Sequence, residues 1–295
     1  MVFMKLGAHV STAGGYSEAV RRVAEMGGNC LQIFSTSPRG WRPAKPGKEE
    51  KDRFKKAVKE YSVSPVYFHA SYLINVAGST EVREKSVSSM IAELKVAGEF
   101  GVKGTTVHLG SFKKGKSEDG QRPLFEEDSA VYETLFDNIR QVLKETPKET
   151  LFIVENMGMR KIGKSLEEIA FIIENLNDPR VRVCLDTCHL HAAGVDISTE
   201  ELLDEFLGEF DRLIGNSLLE FIHINDSRDE FGSLRDRHEN IGEGKIPGDV
   251  FSLIVNHPKT KDLPFIAEVP GFDGRGPDKE NLDRIKAFVE SDDRD

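Results

Sequence analysis

Eight short apolar or β-branched runs, at 5–10, 30–34, 66–70, 104–109, 150–155, 181–186, 219–224 and 264–269, alternate with helical patterns of 10–20 residues. This alternation constrains the fold more than any other feature. Runs such as Phe152-Ile153-Val154 and Val181-Arg182-Val183-Cys184-Leu185 are nearly continuous in apolar residues, as parallel strands buried on both faces are. Over 82–100, Val87, Met90, Ile91 and Leu94 fall at i, i+3, i+4 and i+7, one face of a helix. Leu202, Leu203, Phe206, Leu207 and Phe210 predict a second such helix near 199–214. Ser165-Leu166-Glu167-Glu168 and Ser198-Thr199-Glu200-Glu201 read as capping boxes at helix starts. Eight such units predict an α/β fold, a single (β/α)8 TIM barrel over 1–295, with its site at the C-terminal face of the strands. The rival is a doubly wound open sheet, which usually carries an early phosphate-binding glycine loop; no complete G-x-G-x-x-G or P-loop occurs. No linker divides the chain, and the tail 290–295 reads as a frayed end.

Other classes are excluded by composition. No apolar run approaches the ~20 residues of a membrane span, and the N-terminus lacks the pattern of a signal peptide. An odd number of cysteines, Cys30, Cys184 and Cys188, argues against a secreted disulfide scaffold and suits the cytoplasm. Only three glutamines, Gln32, Gln121 and Gln141, lean towards a thermophilic source. Forty basic and fifty acidic residues give a formal charge of −10. On bulk charge that is a poor match for a nucleic-acid binder.

The chemistry gathers at the carboxyl ends of the runs. There stand His69, His108, Glu155, Asp186 with His189, His223 with its loop residues Asp236 and His238, and Glu268. Four carboxylates converging on one barrel mouth repel unless cations neutralise them. Imidazole plus carboxylate, without a thiolate run, points to zinc or manganese rather than calcium or magnesium. Nine donors exceed one tetrahedral ion and suit two or three, with one or two carboxylates bridging.

Singly, each residue has a plainer reading. A strand-end histidine is usually a hydrogen-bonded core residue, Asp236-Arg237-His238 alone reads as a solvated loop, and Glu268 alone as a partner of an arginine. The convergence of five of the eight histidines on one face favours metal. His9 stands between a supporting role and a structural one, His191 reads as incidental, and His257 as an exposed helix end. Cys184 and Cys188 flank Asp186 at even spacing, which on a strand puts all three on one side. Packing of Cys188 as a small hydrophobe is favoured over zinc capture. The absence of G-x-S-x-G leaves a covalent serine mechanism without support.

Six stretches carry a family resemblance. They are Gly7-Ala8-His9-Val10-Ser11-Thr12-Ala13-Gly14-Gly15, His69-Ala70-Ser71-Tyr72-Leu73-Ile74-Asn75, Val154-Glu155-Asn156, Asp186-Thr187-Cys188-His189, His223-Ile224-Asn225-Asp226-Ser227 and Asp236-Arg237-His238-Glu239-Asn240-Ile241-Gly242-Glu243-Gly244. Together, over essentially the whole chain, they resemble endonuclease IV, the zinc-dependent apurinic/apyrimidinic endonuclease family. The resemblance implies a (β/α)8 barrel with three zinc ions per chain, manganese being the alternative at one. His69, His108 and Glu155 would hold one ion, Glu155 bridging to a second on Asp186, His223 and Glu268, and His189, Asp236 and His238 a third. It further implies hydrolysis of the phosphodiester 5′ to an abasic site in double-stranded DNA, leaving a 3′-hydroxyl and a 5′-deoxyribose phosphate. The nucleophile would be a hydroxide bridging two zincs, with Glu155 as the catalytic residue, and trimming of blocked 3′ ends is a companion activity.

Arg39, Tyr72 and Leu73 correspond to the family residues that fill the gap left in the DNA helix, with Trp41 buttressing their loop. The chain departs from the usual family pattern at Leu109, Met157 to Gly163 and Val269, in the surroundings of the ligands rather than at the ligands. A cytoplasmic monomer is expected.

Loops 35–48, 110–123 and 157–164 carry eleven basic residues: Arg39, Arg42, Lys45, Lys48, Lys113, Lys114, Lys116, Arg122, Arg160, Lys161 and Lys164. Placed after strands, they suit a phosphate backbone approaching one side. Six positive charges from three divalent ions would bring −10 to −4. The enzymatic rival is a metal-dependent sugar isomerase or epimerase of similar barrel shape, which needs fewer histidines and no basic rim. A barrel that binds damaged DNA without cutting it is the non-enzymatic one.

Overall fold

The computed structural model describes residues 4–43, 45–112, 129–158 and 161–289. Its strands are β1 (Leu6–His9), β2 (Cys30–Phe34), β3 (Val66–His69), β4 (Gly104–Val107), β5 (Leu151–Glu155), β6 (Val181–Asp186), β7 (Leu219–His223), β8 (Asp226–Ser227), β9 (His238–Glu239) and β10 (Phe265–Ala267). The helices are α1 (Tyr16–Glu25), α2 (Lys48–Glu60), α3 (Thr80–Phe100), α4 (Ser129–Glu145), α5 (Leu166–Leu176), α6 (Thr187–Ala193), α7 (Glu200–Leu213), α8 (Gly248–Asn256) and α9 (Lys279–Ala287). Strands β1 to β7 neighbour one another in sequence order, and β10 closes the parallel barrel between β7 and β1. All eight barrel strands fall inside the eight apolar runs. No helix among the described residues is long and apolar enough to cross a membrane.

Successive strand side chains point to opposite faces, and here both faces are buried. Leu31, Ile33, Phe68, Ile222 and Phe265 join one core between barrel and helices, while Val107, Phe152 and Val154 join another. Their alternates Cys30, Tyr67, Ile153, Cys184, Phe221 and Ile266 pack on one another inside the barrel and form its floor. Gly7 faces the same interior, where a Cβ would stand 1.8 Å from the Cys30 carbonyl oxygen. The floor has a direct consequence for chemistry. Two residues beyond Tyr67, Ile153, Cys184, Phe221 and Ile266 come His69, Glu155, Asp186, His223 and Glu268. The period of two that buries an apolar side chain in the floor therefore carries the next inward side chain to the mouth.

Helix α3 begins at Thr80, slightly before the expected 82, and buries Val87, Met90, Ile91 and Leu94. In α7 the buried residues are Leu203, Leu207 and Phe210, whereas Leu202 and Phe206 are half-buried. Two caps differ from expectation. Ser165 Oγ accepts from the Glu168 amide, but Glu168 does not return the bond; its carboxylate accepts from Gly163 and Lys164 amides and the Tyr132 hydroxyl. At α7 the cap is Thr199, accepting from the Leu202 amide, because Ser198 is drawn into a turn by the Asp196 carboxylate. Lys48, expected in a loop, opens α2.

The short strands β8 and β9 pair antiparallel outside the barrel. The Asp226 carboxylate pins this hairpin by accepting from the amides of Ser227, Gly242, Gly244 and Ile246. Position 244 requires glycine, since a Cβ there would lie 2.3 Å from Asp226 Oδ1.

Candidate metal centre

Glu155, at the end of β5, lies at the middle of the mouth. His69 Nε2 is 3.3 Å and His108 Nε2 2.9 Å from its Oε2, while His223 Nδ1 is 3.1 Å and His189 Nδ1 3.3 Å from its Oε1. His223 Nδ1 also stands 3.4 Å from Glu268 Oε2 and 3.7 Å from Asp186 Oδ2. A third group forms where His189 Nε2 and His238 Nε2 approach Asp236 at 3.0 and 3.3 Å. Donor atoms within 4.8 Å of one another thus define His69–His108–Glu155, Glu155–Asp186–His223–Glu268 and His189–Asp236–His238. All nine anticipated residues meet at one mouth cavity or just beneath it. The cavity measures about 360 Å³, with Tyr72 and Pro270 completing its wall.

The elements divide the work. Strand ends supply His69, Glu155, Asp186 and His223, and His108 and Glu268 stand one residue past β4 and β10. Asp186 also caps α6 by accepting from the His189 amide, which fixes the backbone of both. Asp236 and His238 come from the pinned hairpin and its approach.

Several contacts orient these side chains. His69 Nδ1 lies 2.8 Å from the Ala70 carbonyl and His189 Nδ1 2.8 Å from that of Asn156, so each turns Nε2 inward. Asn225 Nδ2 donates to Asp186 Oδ2 at 2.7 Å, and its Oδ1 accepts from the Glu268 amide at 2.7 Å. His9 Nδ1 is 2.5 Å from Glu268 Oε1, so His9 supports Glu268, and among the described residues no arginine does.

Electrostatically, burial is the largest influence on the five imidazoles and on Glu155, Asp236 and Glu268. It would strip the proton from His69 and His238, yet the carboxylates around them hold both up to about 9. For His108 and His9 burial prevails and the imidazole is lowered. Burial opposes charge on Glu155 too, but His108 and His223 hold it well below the usual carboxylate range; His189 and His238 do the same for Asp236. Protons on imidazoles thus stand where a divalent ion would compensate the anions.

One observation tests that fit. Buried polar groups are almost always hydrogen-bonded, yet His108 Nε2, Glu155 Oε2 and His238 Nε2 are buried without an acceptably oriented partner. Each is a nitrogen or oxygen donor aimed into the cluster, and the His/carboxylate set suits zinc.

The remaining expectations sort as follows. Cys184 belongs to the floor, but Cys188 lies on α6 rather than β6, because Thr187 begins a helix directly after Asp186. Its sulfur comes within 4.8 Å of donor atoms of Asp186 and His238. Burial, with the Asp186 and Asp236 carboxylates, pushes the thiol up, which disfavours the thiolate a metal would take. His191 is not incidental: it is buried, with Nε2 3.2 Å from the Asp229 carbonyl. His257 is buried rather than exposed, its Nε2 2.8 Å from Asp204 Oδ1.

At the rim, Arg39 is exposed, Tyr72 is 61% exposed and Leu73 half-buried. Their loops are tied where the Tyr72 amide and Ser71 hydroxyl both donate to the Pro38 carbonyl, at 3.0 and 2.8 Å. Trp41 packs against the core beneath. Arg42, Lys45 and Lys164 are exposed and Lys161 half-buried; Lys113, Lys114, Lys116, Arg122 and Arg160 lie outside the described residues, as does the tail 290–295. Asn156, Asn225 and the hairpin were given no role from the sequence, although Asn156 adjoins Glu155 and Asn225 stands two residues past His223.

The family described as Xylose isomerase-like TIM barrel matches residues 20–289. A probable endonuclease 4 of Halothermothrix orenii is 39% identical over 285 residues, covering 96% of this chain and 99% of that protein. One of Thermosipho africanus is 35% identical over 280 residues, covering 91% and 93%. The crystal structure of endonuclease IV from Thermus thermophilus superposes with a TM-score of 0.81 at 31% identity, covering 96% of this chain and 98% of that one. Identity at this level over nearly the full length of both partners places the chain in the endonuclease IV family.

Proposed function

We propose that this chain is a zinc-dependent AP endonuclease that hydrolyses the phosphodiester 5′ to an abasic site in double-stranded DNA. The observation that carries the reading is the nesting of three donor groups around one buried carboxylate, Glu155, with atoms of His108, Glu155 and His238 buried without a well-oriented hydrogen-bond partner. His69, His108 and Glu155 would hold one zinc, Glu155, Asp186, His223 and Glu268 a second, and His189, Asp236 and His238 a third, with manganese the alternative at one. Bound there, such ions supply Lewis acidity towards the phosphate and bring the ionisation of water near neutral pH.

The chain's own residues do the rest. Arg39, Tyr72 and Leu73 enter the gap at the lesion, and a nucleotide without a base loses no stacking when it swings into the mouth. Arg42, Lys45, Lys161 and Lys164 meet the flanking phosphates. Glu155 orients the attacking water and takes its proton. The water oxygen bonds to phosphorus as the phosphorus–O3′ bond breaks, the departing oxygen takes a proton from solvent to become the 3′-hydroxyl opposite a 5′-deoxyribose phosphate, and Glu155 gives its proton back to solvent. Trimming of blocked 3′ ends is the same displacement at a strand terminus. We read the protein as a monomer acting in the cytoplasm.

Incubation of a duplex bearing one tetrahydrofuran abasic mimic with metal-replete and chelator-stripped protein tests the assignment. The mimic cannot undergo β-elimination, so cleavage by the replete form alone establishes hydrolysis. No cleavage by either form overturns it.

A further inference from the structure

His223 differs from its neighbours in the nitrogen it turns inward. His69 and His189 engage carbonyls through Nδ1 and present Nε2 to the cluster. His223 instead presents Nδ1 to Glu155, Glu268 and Asp186. Its Nε2 points down into the barrel, 2.9 Å from Gln32 Oε1. Gln32 sits in β2 with no exposed surface, and its Nε2 donates to Thr106 Oγ1 in β4 at 3.1 Å. This relay spans the layer between the floor and the mouth.

We propose that Gln32 is a positioning residue that selects the metal-binding tautomer of His223. The inference rests on the reading of His223 as a donor to the ion shared with Glu155, Asp186 and Glu268. A neutral imidazole carries one proton, on Nδ1 or on Nε2. Protonated at Nδ1, His223 would satisfy the surrounding carboxylates itself and offer the ion no lone pair. Protonated at Nε2, it donates to Gln32 Oε1 and leaves Nδ1 open. The Gln32 NH₂ turns to Thr106 and its oxygen faces the ring. His223 and Gln32 are both wholly buried, so water is not at hand to replace the acceptor. Outer-shell partners of this kind typically change metal affinity about 10- to 100-fold when removed.

The test compares Gln32→Leu, which keeps the volume and removes the acceptor, with Gln32→Glu, which keeps an acceptor that the Thr106 hydroxyl can rotate to satisfy. Bound metal is counted by mass spectrometry after dialysis against graded chelator. Nitrogen-15 imidazole spectra of the zinc-loaded wild type report which ring nitrogen of His223 is protonated. The expected result is selective: Gln32→Leu loses one ion about 10- to 100-fold more readily than wild type and keeps the others, while Gln32→Glu stays within about threefold of wild type.

Three outcomes overturn the proposal: Gln32→Leu holding its metal like wild type, parallel loss of every ion, or Gln32→Glu as weak as Gln32→Leu. If Gln32→Leu does not fold, the wild-type spectrum still decides, because a proton on Nδ1 of His223 in the loaded protein refutes it. These readouts are independent of DNA cleavage. Failure of the nuclease reading appears instead as metal-loaded wild type that leaves the abasic duplex intact.

Discussion

The two ends of the barrel interior bury polar groups by opposite rules. At the lower end, the Tyr67 hydroxyl donates to Glu220 Oε1 at 2.6 Å and the Lys103 ammonium pairs with the same oxygen. Above them the floor is apolar and closed. At the mouth, four carboxylates and five imidazoles share one cavity, and three of their atoms lack partners. A buried polar atom left unpaired costs about 1–3 kcal/mol. The mouth tolerates that only because the floor and surrounding cores hold the strands in place without it. At these two ends of the barrel, closely paired buried polar groups mark structure, and crowded donor atoms without a well-oriented partner mark the site.

The sharpest way to break this comparison is at its centre. Glu155→Gln should lower incision of an abasic duplex by about 10³-fold or more, since the bridging anion is lost, while the unfolding transition of the metal-free protein moves little. A transition that collapses would make Glu155 a structural residue after all. The floor should respond inversely. Phe221→Ala is expected to destabilise by about 3–5 kcal/mol in chemical denaturation, with the activity of the folded fraction retained.

A third test uses Glu93 of α3, outside the barrel proper. Burial raises its carboxyl to about 7, against the opposing pull of the Ser35 and Thr105 hydroxyls beside it. A raised carboxyl contributes fully below its unfolded value near 4.5 and loses that contribution as pH rises through the folded value. Glu93→Gln should therefore gain stability relative to wild type progressively between pH 4.5 and 7, by about 1–3 kcal/mol. A pH-independent difference would show that Glu93 is not the titrating group. The smallest effect belongs to the lower end, where Tyr67→Phe should cost about 1 kcal/mol and leave metal content and incision unchanged, as parallel melting and metal assays would reveal.

Much of this was legible in the sequence because one periodicity encodes both floor and mouth. An apolar residue at 67, 153, 184, 221 or 266 followed two places later by His or a carboxylate leaves its trace in or just past a strand of three to six residues. Helix faces were legible for the same reason. What escaped lacks a repeating pattern. Strands β8 and β9 have two residues each and owe their geometry to Asp226 bonding amides up to twenty positions away. Gln32 lies inside an apolar run and carries no charge to draw notice. His257 adjoins a helix end in sequence but folds under α7, which periodicity within α8 cannot foretell. The α7 cap moved by one residue because Ser198 had a competing acceptor in Asp196.

The hairpin gives the centre two mechanical owners. His69, Glu155, Asp186 and His223 move only if barrel strands part, which is the global unfolding event. Asp236 and His238 are held by the 226–246 segment, which lies outside the barrel ladder and is tied down by the Asp226 carboxylate, by Asn281 and by the α6 carbonyls of His191 and Ala192, and segments outside the main ladder open locally at a fraction of the global free energy. The residence time of an ion at the proposed His189–Asp236–His238 site would therefore follow the opening of the 226–246 segment. Amide hydrogen exchange at Gly242, Gly244 and Ile246 would run on the same clock, separate from that of the barrel.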